Sequence, residues 1–247
     1  MKRTELIMGM PITLEIVGSK NKRLFDKIFA YFRAVDARYS PYKKDSELSQ
    51  INRGLSRDKW SSEMSQVMDL CEETKSLSGG YFDINSDGQI DPSGLVKGWA
   101  INNAANLLKD VGVNDFYIEA GGDIQISGKN EKGDLWSVGI RNPFNIDEIV
   151  KVLMLSDAGI ATSGTYLRGE HIYNPHDRTK KPEGIKSLTV IGPNVYEADR
   201  FATAAFAMGG NGIGFINALP GFEGYMIDDD KRATYTKGFD VYVVEAA

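Results

Sequence analysis

Apolar positions along the chain recur with two different periods, and the changes of period mark out the elements. Residues 10–18, "MPITLEIVG", alternate apolar and polar, which predicts a strand. From 20 to 39 the period lengthens. Leu24, Phe25, Ile28, Phe29, Phe32 and Val35 share one face at helical spacing. A polar stretch at 40–52 enters a short helix for which Ser46 and Ser49 are candidate caps. Met64, Val67, Met68, Cys71 and Leu77 predict a helix over 62–78, stopped by Gly79-Gly80. Another helix is expected at 95–110. Short strands follow at 115–120, 123–128, 135–140, 149–155, 159–163, 170–173 and 186–191. Helical spacing returns at 197–208 and 211–218, and strands at 222–228, 232–235 and 239–244 complete the pattern. Helices and strands are grouped rather than strictly alternating. The expected fold class is therefore α+β: a single domain over residues 1–247, mostly antiparallel sheet with packed helices.

Composition narrows the function classes. The 247 residues are 42% hydrophobic and 26% charged, enough for a substantial core. A net charge of −5 argues against nucleic acid as a partner, since phosphate backbones call for a basic face. The single cysteine, Cys71, excludes an internal disulfide, and its place on an apolar helix face predicts a buried, inert thiol. No apolar run reaches the length of a signal peptide or a membrane span, so a cytoplasmic location without membrane insertion is expected.

Four stretches are candidates for chemistry. "DINSDGQIDPSG" (83–94) matches much of a calcium loop, with Asp83, Asn85, Asp87, Gly88 and Asp91 in place. Position twelve is Gly94 rather than a bidentate Glu, and Pro92 interrupts the loop, so a turn rich in Asp, Asn and Gly competes with that reading. "EAGGDIQISG" (119–128) sets Gly121-Gly122 between two strands. This is a tight hairpin, or a turn whose N–H groups could approach a phosphate. "PSGLVKGWA" (92–100) places Lys97 near a helix start, a combination that suits an anion. In "YEADRFATAAFAMGG" (196–210), Asp199 and Thr203 are four apart and share a helix face. They are either oxygen ligands for Mg²⁺ or, for Asp199, a first-turn carboxylate favoured by the helix dipole. The two histidines, His171 and His176, both fall in "GIATSGTYLRGEHIYNPHD" (159–177).

Taken in order, "MGM", "YSPYKKDSELSQIN", "GGYFD", "DPSGLVKGWA", "AGGDI", "ATSGTYLRGEHIYNP" and "EADRFATAAFAMG" resemble the ApbE family of FAD:protein FMN transferases, from about residue 7 to 244. The resemblance implies an ApbE-like, T-fold-related architecture, FAD as substrate, and Mg²⁺. It also implies transfer of FMN to a threonine hydroxyl of a target protein, in an Asp-x-x-Thr type motif, with release of AMP. Some members mainly hydrolyse FAD to FMN and AMP, which is the alternative activity. A flavin-binding protein without transferase activity is a third reading. The implied FAD contacts are Met8, Tyr42, Tyr81, Phe82, Asp83, Asp91, Lys97 and Ile172, with the Gly121 and Gly122 amides as added donors. The implied Mg²⁺ ligands are the Gly94 carbonyl, Asp199 and Thr203. His171 is the implied base. Arg168 either pairs with a phosphate or orients its loop, and His176 is expected to be a solvated turn residue. The chain departs from the common pattern at "MGM", where many members have Met-Gly-Thr, in the altered segment 83–91, and in lacking a lipoprotein-type N-terminus.

Overall fold

The computed structural model describes residues 1–86, 88–165 and 172–244. Two strands, β1 (Lys2–Ile7) and β2 (Met10–Ile16), form a hairpin, followed by helices α1 (Lys22–Tyr39), α2 (Glu47–Ile51) and α3 (Ser62–Leu77). A minimal hairpin, β3 (Asn85–Ser86) and β4 (Gln89–Ile90), leads into α4 (Ser93–Lys109). Then come β5 (Phe116–Ala120), β6 (Asp123–Ser127), β7 (Trp136–Asn142), β8 (Asn145–Leu155) and β9 (Gly159–Gly164). Past the segment outside the description are β10 (Ser187–Gly192), α5 (Val195–Ala207), α6 (Gly212–Ala218), β11 (Glu223–Ile227) and β12 (Ala233–Tyr235).

The main sheet has eight strands in the order β1-β2-β5-β6-β9-β10-β11-β12, and every pairing among the described strands is antiparallel. All helices lie on one face. Phe25, Ile28, Phe29, Phe32 and Val35 of α1 join Met64 and Val67 of α3, Leu95 and Ile101 of α4, and Ile12, Leu14, Phe116 and Ile118 of the sheet in one core. On the same face, α5 and α6 cover β9, β10 and β11 through Ala161, Leu188, Val190 and Met226. The strand period of two sends the alternate residues Ile124, Ile126, Ile160, Ile191, Tyr225 and Ile227 to the opposite face, where the β7–β8 hairpin covers them with Trp136, Val138 and Ile140. Each fully buried large side chain of this kind contributes roughly 1.5–3 kcal/mol.

The α+β, antiparallel expectation holds, and the helix predictions agree with the structure to within a few residues. Three strand expectations need correction. Residues 2–7 form a strand, β1, that the sequence pattern does not predict; its burial alternates, but the inward positions include the ion-paired Arg3 and Glu5 and Leu6 is 78% exposed, which hides the pattern. Residues 172–173 lie in no strand, and the rest of the predicted strand at 170–173 falls outside the described residues. The predicted strand 239–244 is a 3₁₀ turn, Phe239–Tyr242, followed by a single bridge from Val243 to Leu153. Phe239 is fully buried there as a lone anchor, which an alternating pattern imitates.

Candidate functional site

The register of the sheet gathers several singled-out residues at one end. Ile7 pairs with Met10, leaving Met8-Gly9 as a two-residue turn with φ of 58° and 72°. Ala120 pairs with Asp123, leaving Gly121-Gly122 as a second such turn with φ of 59° and 94°. Turns with two positive φ values match the twist of the flanking strands, and glycine adopts them without steric cost. Because Ile12 pairs with Ala120 and Ile124 with Ile160, both turns and the C-terminal end of β9 share the same edge of the sheet.

Against that edge, α4 and α5 meet along a seam of small residues. An added Cβ at Gly94 would lie 3.2 Å from Thr203 Cγ2, and one at Gly98 would lie 2.6 Å from Asp199 Cβ. Gly94 and Gly98 are four apart, as are Asp199 and Thr203, and the pairing runs in opposite directions. The two helices are therefore antiparallel and in near-backbone contact. The Thr203 hydroxyl donates to the Gly94 carbonyl at 3.3 Å, and the Gly98 N–H donates to Asp199 Oδ2 at 2.8 Å. The Lys97 ammonium sits between two buried carboxylates. It is ion-paired with Asp123 and lies 3.5 Å from Asp199 Oδ1. Asp123 Oδ1 also accepts the Thr162 N–H of β9 at 3.2 Å, so sheet and helices are joined at this point. Burial, then the neighbouring Asp123 carboxylate, pushes Asp199 well above the usual carboxylate range; Lys97 and the Gly98 N–H pull the other way.

The start of α5 is held from two sides. Gln125 Oε1 accepts the Val195 N–H at 2.8 Å, and Asn194 caps the helix through the Glu197 N–H. Asn194 thus takes the capping role, and Asp199 lies in the second turn, which overturns the first-turn reading of that carboxylate. Arg200, 5% exposed, grips Glu197 with two hydrogen bonds of 2.9 and 3.0 Å and reaches Glu73 and Thr74 of α3.

The segment before α4 lines the neighbourhood. Phe82 is buried beside Gly94 and its N–H donates to the Ser78 hydroxyl. Asp83 is partly desolvated, yet the Asn85 N–H and Lys75 outweigh that effect and hold its carboxyl below the usual range. Asp91 Oδ1 accepts the Ser93 N–H at 3.0 Å, an Asx turn that starts α4. With Asn85–Ser86 and Gln89–Ile90 paired as a hairpin and Gly94 inside α4, residues 83–94 read as a turn and helix start rather than a calcium loop. Tyr81 packs edge-on against His176 at 4.5 Å between ring centroids, and His176 Nε2 is 2.9 Å from the Gly79 carbonyl. His176 is thus exposed but docked, a correction to its reading as a merely solvated turn residue. Its partners Gly79 and Tyr81 lie 97 and 95 residues away in sequence, out of reach of local pattern.

The structure therefore brings together Lys97, Asp199, Thr203, Gly94 and Phe82, with the Gly121-Gly122 turn at the adjoining sheet edge. Met8 packs partly buried on the core, and Ile172 packs against the α5–α6 cluster. Tyr42 stays apart: the residue is 93% exposed on the loop after α1. His171 and Arg168 lie outside the described residues. Sequence reasoning missed Asp123 as the partner of Lys97. The available signal was an acidic residue at the first strand position after the glycine pair, two before the buried Gln125. It also missed Gly98, whose spacing of four from Gly94 marks a close helix approach. The oxygen donors fit a small divalent cation. A carbonyl and a hydroxyl already share a hydrogen bond, and a carboxylate stands one turn away on the same helix.

Comparison with known proteins bears on this arrangement. The sequence model of the ApbE family matches residues 8–88 and 84–226. A Vibrio cholerae protein named FAD:protein FMN transferase is 29% identical over 144 residues, covering 53% of this chain and 43% of the relative. A Buchnera aphidicola protein of the same name is 28% identical over 211 residues, covering 78% of this chain and 58% of the relative. The matches thus span roughly two to three fifths of the relatives' own length. Among solved structures, the flavin transferase ApbE from Vibrio cholerae superposes with a TM-score of 0.86 at 22% identity over 98% of both chains. The ApbE protein from Thermotoga maritima does so with 0.87 at 18% identity over 99% of both. At these identities the structural likeness speaks for the fold.

Proposed function

Because the chain belongs to the ApbE family, we propose that it transfers the FMN moiety of FAD to a threonine hydroxyl of an acceptor protein and releases AMP. The observation that carries the proposal is the α4–α5 seam. There a lysine, two carboxylates, and a hydroxyl bonded to a helix carbonyl converge beside a glycine-pair turn. A pyrophosphate needs this kind of surroundings: cationic and N–H donors for its oxygens, and oxygen ligands for a metal counter-ion. Gly94, Asp199 and Thr203 would hold Mg²⁺, which would draw negative charge from the pyrophosphate. Lys97, oriented by its ion pair with Asp123, would bind a phosphate oxygen. The Gly121 and Gly122 amides would add donors. Met8, Tyr81, Phe82, Asp83, Asp91 and Ile172 would contact FAD, and the exposed Tyr42 ring would supply a face for an aromatic ring.

In the proposed step the threonine oxygen attacks the phosphorus on the FMN side. That O–P bond forms as the P–O bond to AMP breaks, and the hydroxyl proton passes to a base. His171 is proposed as that base, since imidazole titrates near neutrality. An aligned base contributes on the order of 10²–10⁴-fold. The acceptor threonine is proposed to lie in an Asp-x-x-Thr type motif.

The test is incubation with FAD, Mg²⁺ and a domain bearing such a threonine, followed by intact-protein mass spectrometry and chromatography of nucleotides. Labelled acceptor with stoichiometric AMP is expected. AMP with free FMN and an unlabelled acceptor would assign the chain to FAD hydrolysis instead. A flavin that is bound but not consumed would make it a flavin-binding protein.

A further inference from the structure

A second concavity is lined by residues outside the seam. It is a cavity of about 440 Å³ between the ends of β9 and β10 and the loop that follows residue 171. Among the described residues, Arg178, Lys180, Lys181, Lys186 and Asp229 line it. On a chain of net charge −5 this is a local reversal of sign. Its walls are tied to the residues around the proposed FAD site. The Tyr173 hydroxyl donates to the carbonyls of Asp83 and Asn85 at 3.3 and 2.9 Å, and Arg178 donates to the Asn85 carbonyl and lies 5.0 Å over the Tyr173 ring. Thr165, just past the end of β9, lines the cavity with a buried hydroxyl that has no hydrogen-bond partner among the described residues. A buried polar atom in that state is costly unless a ligand group completes it.

We propose that this basic cavity receives an acidic segment of the acceptor protein, next to the residue to be modified. The inference rests on the transferase reading above, because a protein substrate has to reach the FAD from some side. The acidic remainder of the chain repels an acidic segment, while lysines at the cavity rim steer it in and set its register. The lysines are held as a group by the fold. Lys186 lies 5.8 Å from the Phe144 ring, and Lys180 lies 3.5 Å from Asp177. The unsatisfied Thr165 hydroxyl provides a hydrogen bond for a carboxylate or backbone carbonyl at the inner wall.

The test measures binding, independent of turnover. A fluorescein-labelled peptide carrying four Asp residues around one Thr is titrated with the whole chain, and its anisotropy is followed at low and moderate salt. FAD binding is measured in parallel by flavin fluorescence. The wild type is expected to bind the peptide and to lose it as salt rises. The Lys180→Glu/Lys186→Glu variant should raise the peptide Kd at least about tenfold with the FAD Kd unchanged. A peptide with Asn in place of Asp should bind no better to wild type than the acidic peptide binds to the variant. Equal binding of the acidic peptide by wild type and variant, or no binding by wild type, would overturn the proposal. A parallel loss of FAD affinity in the variant would also overturn it, since the cavity would then serve the nucleotide. Failure of the transferase reading would register separately, as absence of AMP from FAD.

Discussion

Replacing Gly98 by alanine adds one methyl group where α4 and α5 come closest. The new Cβ would stand 2.6 Å from Asp199 Cβ, 2.8 Å from the Val195 carbonyl oxygen and 3.0 Å from Asp199 Oδ2. Carbon–carbon contacts prefer about 3.5–4.0 Å, so about an ångström of separation has to open. The Val195 oxygen belongs to the backbone of α5 and cannot swing aside as a side chain can. In an unobstructed helix interior the exchange of glycine for alanine is worth about 1 kcal/mol in favour of alanine. Overpacking by a methyl group costs about 1–3 kcal/mol. The balance is a net loss of up to about 2 kcal/mol, or up to roughly 8 °C in Tm for a chain of this size. Gly214→Ala in α6 is the control, because a Cβ there meets nothing within 4 Å. It should raise Tm by up to about 4 °C. Scanning calorimetry reads both changes. The same Gly98→Ala protein should need more Mg²⁺ for AMP release, because moving α5 carries Asp199 and Thr203 away from Gly94. A Gly98→Ala chain as stable as Gly214→Ala, with an unchanged Mg²⁺ requirement, would refute the close-packed seam.

Three further outcomes follow from the same geometry. Arg200→Met leaves Glu197 without its two-pronged partner in a largely buried place and should cost about 2–3 kcal/mol by urea unfolding; Arg200→Lys should rescue little, since an ammonium cannot reproduce the fork, and full rescue by lysine would contradict this. Met8 holds a φ of 58°, at a cost of about 1–2 kcal/mol for a non-glycine residue. Met8→Asn should therefore leave Tm unchanged or higher while raising the Kd for FAD, and a Tm fall of several degrees would show the turn to be unstrained. Burial pushes the Cys71 thiol up to about 12, and Tyr31 and Tyr196 are likewise raised to about 12. The folded chain therefore holds protons that the unfolded chain releases above the ordinary values of about 9 and 10. These three groups should add no pH dependence below about pH 9 and should make stability fall progressively from pH 9 to 12, and a thiol reagent at pH 8 should label Cys71 only at the unfolding rate. Stability that rises over that interval, or immediate labelling of the folded chain, would contradict the burial argument.

Legibility differed between parts of the molecule for physical reasons. Phe25, Ile28, Phe29 and Phe32 show α1 openly because a buried helix stripe writes its period into the sequence. The strand β1 does not, because its inward positions include the ion-paired Arg3 and Glu5 while Leu6 faces out, and the lone anchor Phe239 does not, because burial at one point leaves no period. In the site, Asp199 and Thr203 were legible as a pair because both sit on one helix. The Lys97–Asp123 ion pair and the docking of His176 on Tyr81 join segments far apart in sequence, which local spacing cannot relate. Ordered motifs bridged part of that gap by placing Lys97 and the glycine pair in one site, while Asp123 stood in "AGGDI" without its pairing to Lys97 being readable.

The most direct measurement is AMP release from FAD, by single-turnover chromatography over a range of Mg²⁺, for wild type and for Asp199→Ala and Thr203→Ala. The account predicts Mg²⁺-dependent AMP from wild type and a sharply raised Mg²⁺ requirement in both variants, with each variant folded by circular dichroism. No AMP from wild type at any Mg²⁺ concentration, or variants with the wild-type Mg²⁺ dependence, would contradict it.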